Sequence, residues 1–167
     1  MTHTALKTKA DVENPEIGLE HRKRLANSLS GLLADTYLLL VKTQGYHWNV
    51  VGPLFISLHR LTEEQYQNLF EAVDDLAERV RALGFPAPSS ITEMIALAEI
   101  GEDAGNPTAE EMVESLVRDH ERVVRRLREA TVAAEELHDV VTAGMLTDRM
   151  QFHEQAVWML RAVIAGK

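Results

Sequence analysis

Between Ile17 and about Asn49 the positions Leu25, Leu29, Leu32, Leu33, Thr36, Leu39 and Leu40 recur at intervals of three and four. That period is the core stripe of an amphipathic helix, here of about nine turns at 3.6 residues each. Gly52-Pro53 interrupts it, and a second stripe follows from about Phe55 to Leu83: Leu58, Leu61, Tyr66, Leu69, Val73, Leu76, Val80 and Leu83. Gly84 stands where a C-terminal cap belongs, with Pro86 and Pro88 beyond it. Residues 89–99 have the makings of a short helix inside a long connection. Thr108 and Glu111 then carry the spacing of a capping box, opening a third long helix that runs to about Glu136. A fourth starts near Asp139, a good N-cap, and ends at Gly166. No segment alternates apolar and polar residues in the manner of a strand. The pattern predicts an all-α fold, a four-helix bundle with a short extra helix in the crossover between helices two and three.

Composition agrees with long elements and few turns. The chain of 167 residues holds 9 glycines and 5 prolines, fewer than the roughly 12% these two contribute on average. With 46% apolar residues it can bury one core of domain size. The absence of cysteine removes disulfides, thiolate ligands and cysteine nucleophiles from consideration. A formal charge of −9 disfavours broad contact with nucleic acid, although a local basic arm escapes that argument. No apolar run reaches the roughly 18 residues of a membrane span, and the N-terminus lacks the apolar stretch of a secretion signal. The sequence therefore predicts a cytoplasmic protein with a polar arm over residues 1–16 and one bundle domain over 17–167.

The second helix carries the chemistry. His59 and Glu63 are four residues apart and share a face, and Asp74 and Glu78 repeat that spacing further on. His47 lies just before the Gly-Pro break. Imidazole with carboxylates and no thiolate suits iron, manganese or zinc. His59 and Asp74, however, are separated by about 22 Å along a straight helix, too far for one metal centre. The two pairs are placed symmetrically about residues 68 and 69. Antiparallel packing of two copies across a two-fold axis there sets His59 opposite Glu78 of the partner subunit and Glu63 opposite the partner's Asp74. Taken singly, each residue has an ordinary reading: a surface or core-satisfied histidine, a solvated acidic face, a tryptophan anchor at Trp48.

Together, His47-Trp48-Asn49-Val50-x-Gly52-x-x-Phe55-x-x-Leu58-His59, then Glu63, Tyr66 and Asp74-x-x-Ala77-Glu78-Arg79, resemble the signature of the Dps mini-ferritins. The likeness is concentrated in residues 44–84, and the helical layout extends it over nearly the whole chain. It implies a ferritin-like four-helix bundle assembled into a hollow homo-dodecamer. It further implies a di-iron centre shared between two subunits, with His47, His59 and Glu63 from one and Asp74 and Glu78 from its neighbour. The implied activity is that of a ferroxidase: Fe(II) is oxidised, preferably by hydrogen peroxide rather than dioxygen, and stored as ferric mineral, which protects against oxidative stress. Trp48 matches the tryptophan beside that centre, zinc is a possible competitor for it, and Glu63 stands where the family often has aspartate.

The resemblance reaches further residues with less force. Asp139 and Asp148 fall where the family places acidic residues of a three-fold pore, although Asp139 is equally suited to be only an N-cap. Glu64 adjoins the centre as a candidate for mineral nucleation, while Arg60 stands where a further inner acid is sought. DNA binding, the family's other activity, is expected to be weak. The arm 1–16 has two lysines against Asp11, Glu13 and Glu16, leaving Arg22-Lys23-Arg24 as the basic cluster. A nucleoid protein with secondary iron chemistry and an inert helical scaffold are the rival readings. An in-bundle di-iron enzyme is disfavoured: only Glu135-x-x-His138 has its motif spacing, without a second copy. His120 and His153 read as structural, with His153-Glu154 a possible accessory metal site.

Overall fold

A computed structural model describes residues 17–165; the arm expected over residues 1–16 lies outside the described residues. Five helices follow one another: α1 Leu19–Asn49, α2 Phe55–Ala82, α3 Ile91–Leu97, α4 Ala109–Glu136 and α5 Val140–Ile164. Helices α1 and α2 form one tightly packed hairpin and α4 and α5 a second. The hairpins meet chiefly through α1 against α4, while α2 touches α5 lightly and α3 lies on α1. This is the four-helix bundle with a small crossover helix that the stripes predict. Leu25, Leu29, Leu32 and Leu39 of α1 are fully buried with Leu58, Leu69 and Leu76 of α2, Leu116 and Leu127 of α4, and Leu146 and Leu160 of α5. Each such side chain contributes about 1.5–3 kcal/mol by leaving water.

The helix ends follow local rules. Thr108 and Glu111 form the reciprocal capping box at the start of α4. Gly84 at φ 95° ends α2, with the Gly84 amide donating to Arg81 and the Phe85 amide to Val80. The α4–α5 turn uses the same double bond, from His138 to Glu135 and from Asp139 to Ala134, but with His138 in the left-handed region at φ 57°. A histidine at that position tolerates a conformation usually left to glycine.

The crossover is held by buried charge. Asp35 on α1 is wholly inaccessible and accepts the Glu99 and Ile100 amides at 2.6 and 3.1 Å. Arg126 on α4 donates to its other oxygen at 2.6 Å and reaches the Gly31 carbonyl at 3.2 Å. Gly31 makes room for that guanidinium, because a Cβ there would stand 2.0 Å from Arg126 Nη2. Gly31→Ala is therefore expected to destabilise the subunit by about 1–3 kcal/mol, read from its chemical-denaturation midpoint. In an Arg126→Ala background the same change is expected to be neutral or stabilising, because alanine is the better helix former.

A second network ties the loop before α4 to the two helices beneath it. Lys42 pairs with Asp119 at 2.5 Å and with Asp103 at 3.2 Å, and Asp103 also accepts from the Tyr46 hydroxyl and the Ser115 hydroxyl. Burial raises the Asp103 carboxyl, but the bonds from Ser115, Tyr46 and Lys42 outweigh it and hold it at about 2. Burial and the hydrogen bond to Asp103 together push the Tyr46 hydroxyl up to about 12. The folded-state carboxyl is thus more acidic than its unfolded counterpart. Its contribution to stability is present above the unfolded value and is lost as pH falls from about 4 toward 2. Urea denaturation at pH 6 and pH 3 is expected to show a smaller acid loss of stability in Asp103→Asn than in the parent chain.

Candidate metal centre

His47 sits in the last turn of α1, a short turn through Gly52 at φ 93° reverses the chain, and His59 lies one turn into α2. The hairpin thereby places the two imidazoles face to face, with ring centroids 3.7 Å apart and planes 17° from parallel. His47 Nδ1 stands 2.8 Å from the His59 carbonyl, and His59 Nδ1 stands 2.8 Å from the His47 carbonyl. A carbonyl oxygen can only accept, so each Nδ1 carries a proton. In the neutral rings each Nε2 is then a bare lone pair, the tautomer that ligates metal, and the carbonyl behind each ring fixes its direction. Phe55 stacks on His59 at 5.0 Å and Tyr66 meets His47 edge-on at 5.2 Å, completing an aromatic wall.

Glu63 follows His59 by one turn and is half-buried, while Trp48 is 68% exposed beside His47. Asp74 and Glu78 are exposed further along α2. The structure brings His47 and His59 together, with Glu63 on the His59 face, but does not bring Asp74 or Glu78 to them within one chain. Among the described residues no three histidine or acidic side chains of a single subunit close on a metal-sized site. Midway between the two halves, Phe70 stands 69% exposed, and with Val73, Asp74 and Asp75 it lines a shallow cleft.

The other sequence candidates are dispersed. Asp139 is the N-cap of α5: it accepts the Thr142 amide at 3.0 Å and the Thr142 hydroxyl at 2.6 Å, and Arg79 grips both its oxygens at 2.8 Å. Burial raises its carboxyl, but the Thr142 and Arg79 bonds prevail and hold it below the usual range. Its charge is met within its own chain, whereas Asp148 and Glu64 are exposed. His153 faces His120, with the two Nδ1 atoms 2.8 Å apart, while Glu154 turns outward to Arg128 at 3.3 Å. Of the basic cluster, Lys23 and Arg24 are exposed and Arg22 reaches back to the Leu83 carbonyl at 3.4 Å.

Sequence reasoning did not foresee the reciprocal lock of the two histidines or the parts played by Phe55 and Tyr66. Phe55 is four residues before His59, a helical spacing that places the ring on the imidazole. The lock has no such local signal, since it joins residues on two helices through a turn.

Comparison with known proteins identifies the family and the fold. The Ferritin-like domain family matches residues 26–166. A DNA protection during starvation protein of Brevibacillus brevis is 38% identical over 136 residues, covering 81% of this chain and 91% of its own. The chain belongs to the Dps family of ferritin-like proteins. An uncharacterized low temperature-induced protein of Nostoc is more similar in sequence, 48% identical over 155 residues, covering 90% of this chain and 87% of its own. The crystal structure of the Dps protein of Vibrio cholerae superposes with a TM-score of 0.84 at 31% identity, over 87% of this chain and 92% of that one. That protein is described as a member of a broad superfamily of ferritin-like diiron-carboxylate proteins. Membership of the Dps family supports iron handling in a carboxylate-rich bundle. Among the described residues no helix is long and apolar enough to cross a membrane.

Proposed function

We propose that two copies of this Dps chain pack α2 against α2 about a two-fold axis near residues 68 and 69, forming two identical iron-oxidising centres. Each centre combines His47, His59 and Glu63 of one subunit with the partner's Asp74 and the partner's Glu78. The observation that carries the reading is the reciprocal Nδ1–carbonyl lock, which leaves two Nε2 lone pairs for a metal, while among the described residues no three histidine or acidic side chains of one subunit close on a metal-sized site. Exposed Phe70, close to the proposed axis, supplies apolar surface for the contact. Six such dimers close the hollow dodecamer.

Iron is the substrate. Carboxylates favour the ferric product and imidazoles help hold the ferrous form, so the set accommodates both oxidation states; zinc competes for the same nitrogen and oxygen donors. Two ferrous ions give one electron each to hydrogen peroxide, the O–O bond breaks, and two protons complete two waters. No hydroxyl radical leaves a site that delivers both electrons together. Trp48, exposed beside His47, is placed to absorb a single stray oxidising equivalent. Ferric product passes to the interior, where Glu64 offers a carboxylate for mineral growth. Asp148 brings a free charge to the acidic pore proposed with Asp139, whose own charge Arg79 already meets. The outcome is ferric storage and removal of peroxide, a protection against oxidative stress in the cytoplasm.

The test is anaerobic loading with ferrous iron, addition of hydrogen peroxide, then gel filtration following iron and protein together. Fast oxidation with iron eluting at about twelve times the subunit mass supports the reading. Slow oxidation with iron precipitated outside the protein peak removes it.

A further inference from the structure

Deep between α2, α4 and α5 lies a polar cluster that the iron chemistry does not use. Arg149 on α5 is half-buried: its Nη1 donates to Asn68 Oδ1 at 2.6 Å and its guanidinium lies 4.6 Å over the Phe152 ring. Its Nε and Nη2 are buried without a hydrogen-bond partner. No described carboxylate pairs with Arg149 within 4.0 Å. Gln65 on α2 is 3% exposed, and both its amide oxygen and its amide nitrogen are unpartnered. On α4, fully buried His120 shares its Nδ1 bond with His153 and leaves Nε2 without a partner. Phe152 joins these groups, lying 6.1 Å from His120 and 5.2 Å from His153. A cavity of about 180 Å³ between α2 and α5 is lined by Gln65, Asn68 and Phe152, with Glu64 and Gln155 also on its wall.

We propose that this cluster is an internal site for one small monovalent anion, held by Arg149 and Gln65 and entered through the α2–α5 cavity. A half-buried guanidinium with two unpartnered nitrogens and no carboxylate in direct contact, beside a buried amide that is also unpartnered, is a costly arrangement that a bound anion would relieve at several atoms together. Burial and the neighbouring guanidinium keep both histidines uncharged, His120 at about 3 and His153 well below its ordinary value. Arg149 is itself drawn down by burial to about 10, with Asp75 and then Glu71 favouring its charge from α2, so it remains a cation at neutral pH. Among these groups the guanidinium carries the charge, which disfavours a divalent metal at the two imidazoles. Glu64 at the cavity wall and the heavy desolvation of multiply charged ions disfavour phosphate, leaving halide, nitrate and ions of similar size. Asn68 and Phe152 each touch both the cavity and Arg149, so the ion enters by displacing the Gln65 amide or the Phe152 ring rather than by crossing the whole core.

Bromide is the probe. Crystals of the full-length assembled protein in sodium bromide, measured at the bromine edge, are expected to show one anomalous peak within hydrogen-bond reach of Arg149 Nη2. Bromide nuclear magnetic resonance line broadening in solution is expected to saturate in the millimolar range, with affinity at least about tenfold weaker in Gln65→Leu. Gln65→Leu removes no charge and leaves the Arg149–Asn68 bond in place, so it keeps the test open should Arg149→Met fail to fold. The absence of a peak at Arg149, a peak only elsewhere, saturation only near molar bromide, or unchanged binding in Gln65→Leu each overturns the proposal. None of these outcomes depends on whether the proposed iron centre is correct.

Discussion

Subunits bearing His59→Ala and subunits bearing Asp74→Ala, each expected to lose rapid iron oxidation by roughly two orders of magnitude when assembled alone, are expected to regain about one quarter of the parent rate when co-assembled in equal amounts. Half of the randomly paired dimers then contain one chain of each kind. In such a dimer one centre has lost both its histidine and its carboxylate, while the other retains His59 from one subunit and Asp74 from its partner. One intact centre in two, in half of the dimers, gives the quarter. A centre built within one chain would give no recovery, because every chain in the mixture is defective. Stopped-flow absorbance of ferric product after peroxide addition measures the rate, and light scattering verifies that each preparation forms the same shell. Full loss of activity in the mixture would rule out the shared centre while leaving the Dps family assignment untouched.

The experiment targets what single-chain geometry leaves open. Apolar positions at three and four mark α1 and α2 almost to the residue because each buries one face along its length, while the cap residues Thr108 and Asp139 mark where α4 and α5 begin. The capping box at Thr108 and the glycine stop at Gly84 are local chemistry, so they too could be read in advance. Histidine and carboxylate spacing on α2 pointed to a two-fold relation, because helix rise is fixed and fifteen residues cannot fold back on themselves. What was not legible is contact between helices. The ring-to-carbonyl exchange of His47 and His59, the Arg126 guanidinium against Gly31, and the His120–His153 pair all depend on how the hairpins pack. Asp139 illustrates the same boundary: its cap role follows from its place before α5, but Arg79 gripping it from sixty residues away does not.

Asp35→Ala is expected to lower the stability of the subunit by about 3–5 kcal/mol, larger than any other single polar substitution considered for this chain. The carboxylate is completely buried and has three partners, the Glu99 and Ile100 amides and the Arg126 guanidinium. Its removal leaves two crossover amides without an acceptor and a partly buried cation without its counter-charge. Arg126 keeps only longer contacts to the Gly31 and Leu97 carbonyls and the 3.6 Å approach of exposed Glu99, which solvent screens. Asp35→Asn should cost less, since the amide oxygen still accepts one backbone bond although the charge is gone. For a chain of this size the alanine change corresponds to a fall in Tm of roughly 6–20 °C, measurable by calorimetry on the metal-free protein. Replacing Asp35 and Arg126 together, by alanine and leucine, is expected to be less harmful than Asp35→Ala alone, because no unpaired cation remains. If the double change proves as harmful as the sum of the two single ones, the pair does not couple, and α3 and its following loop are held to α1 by the two amide bonds alone.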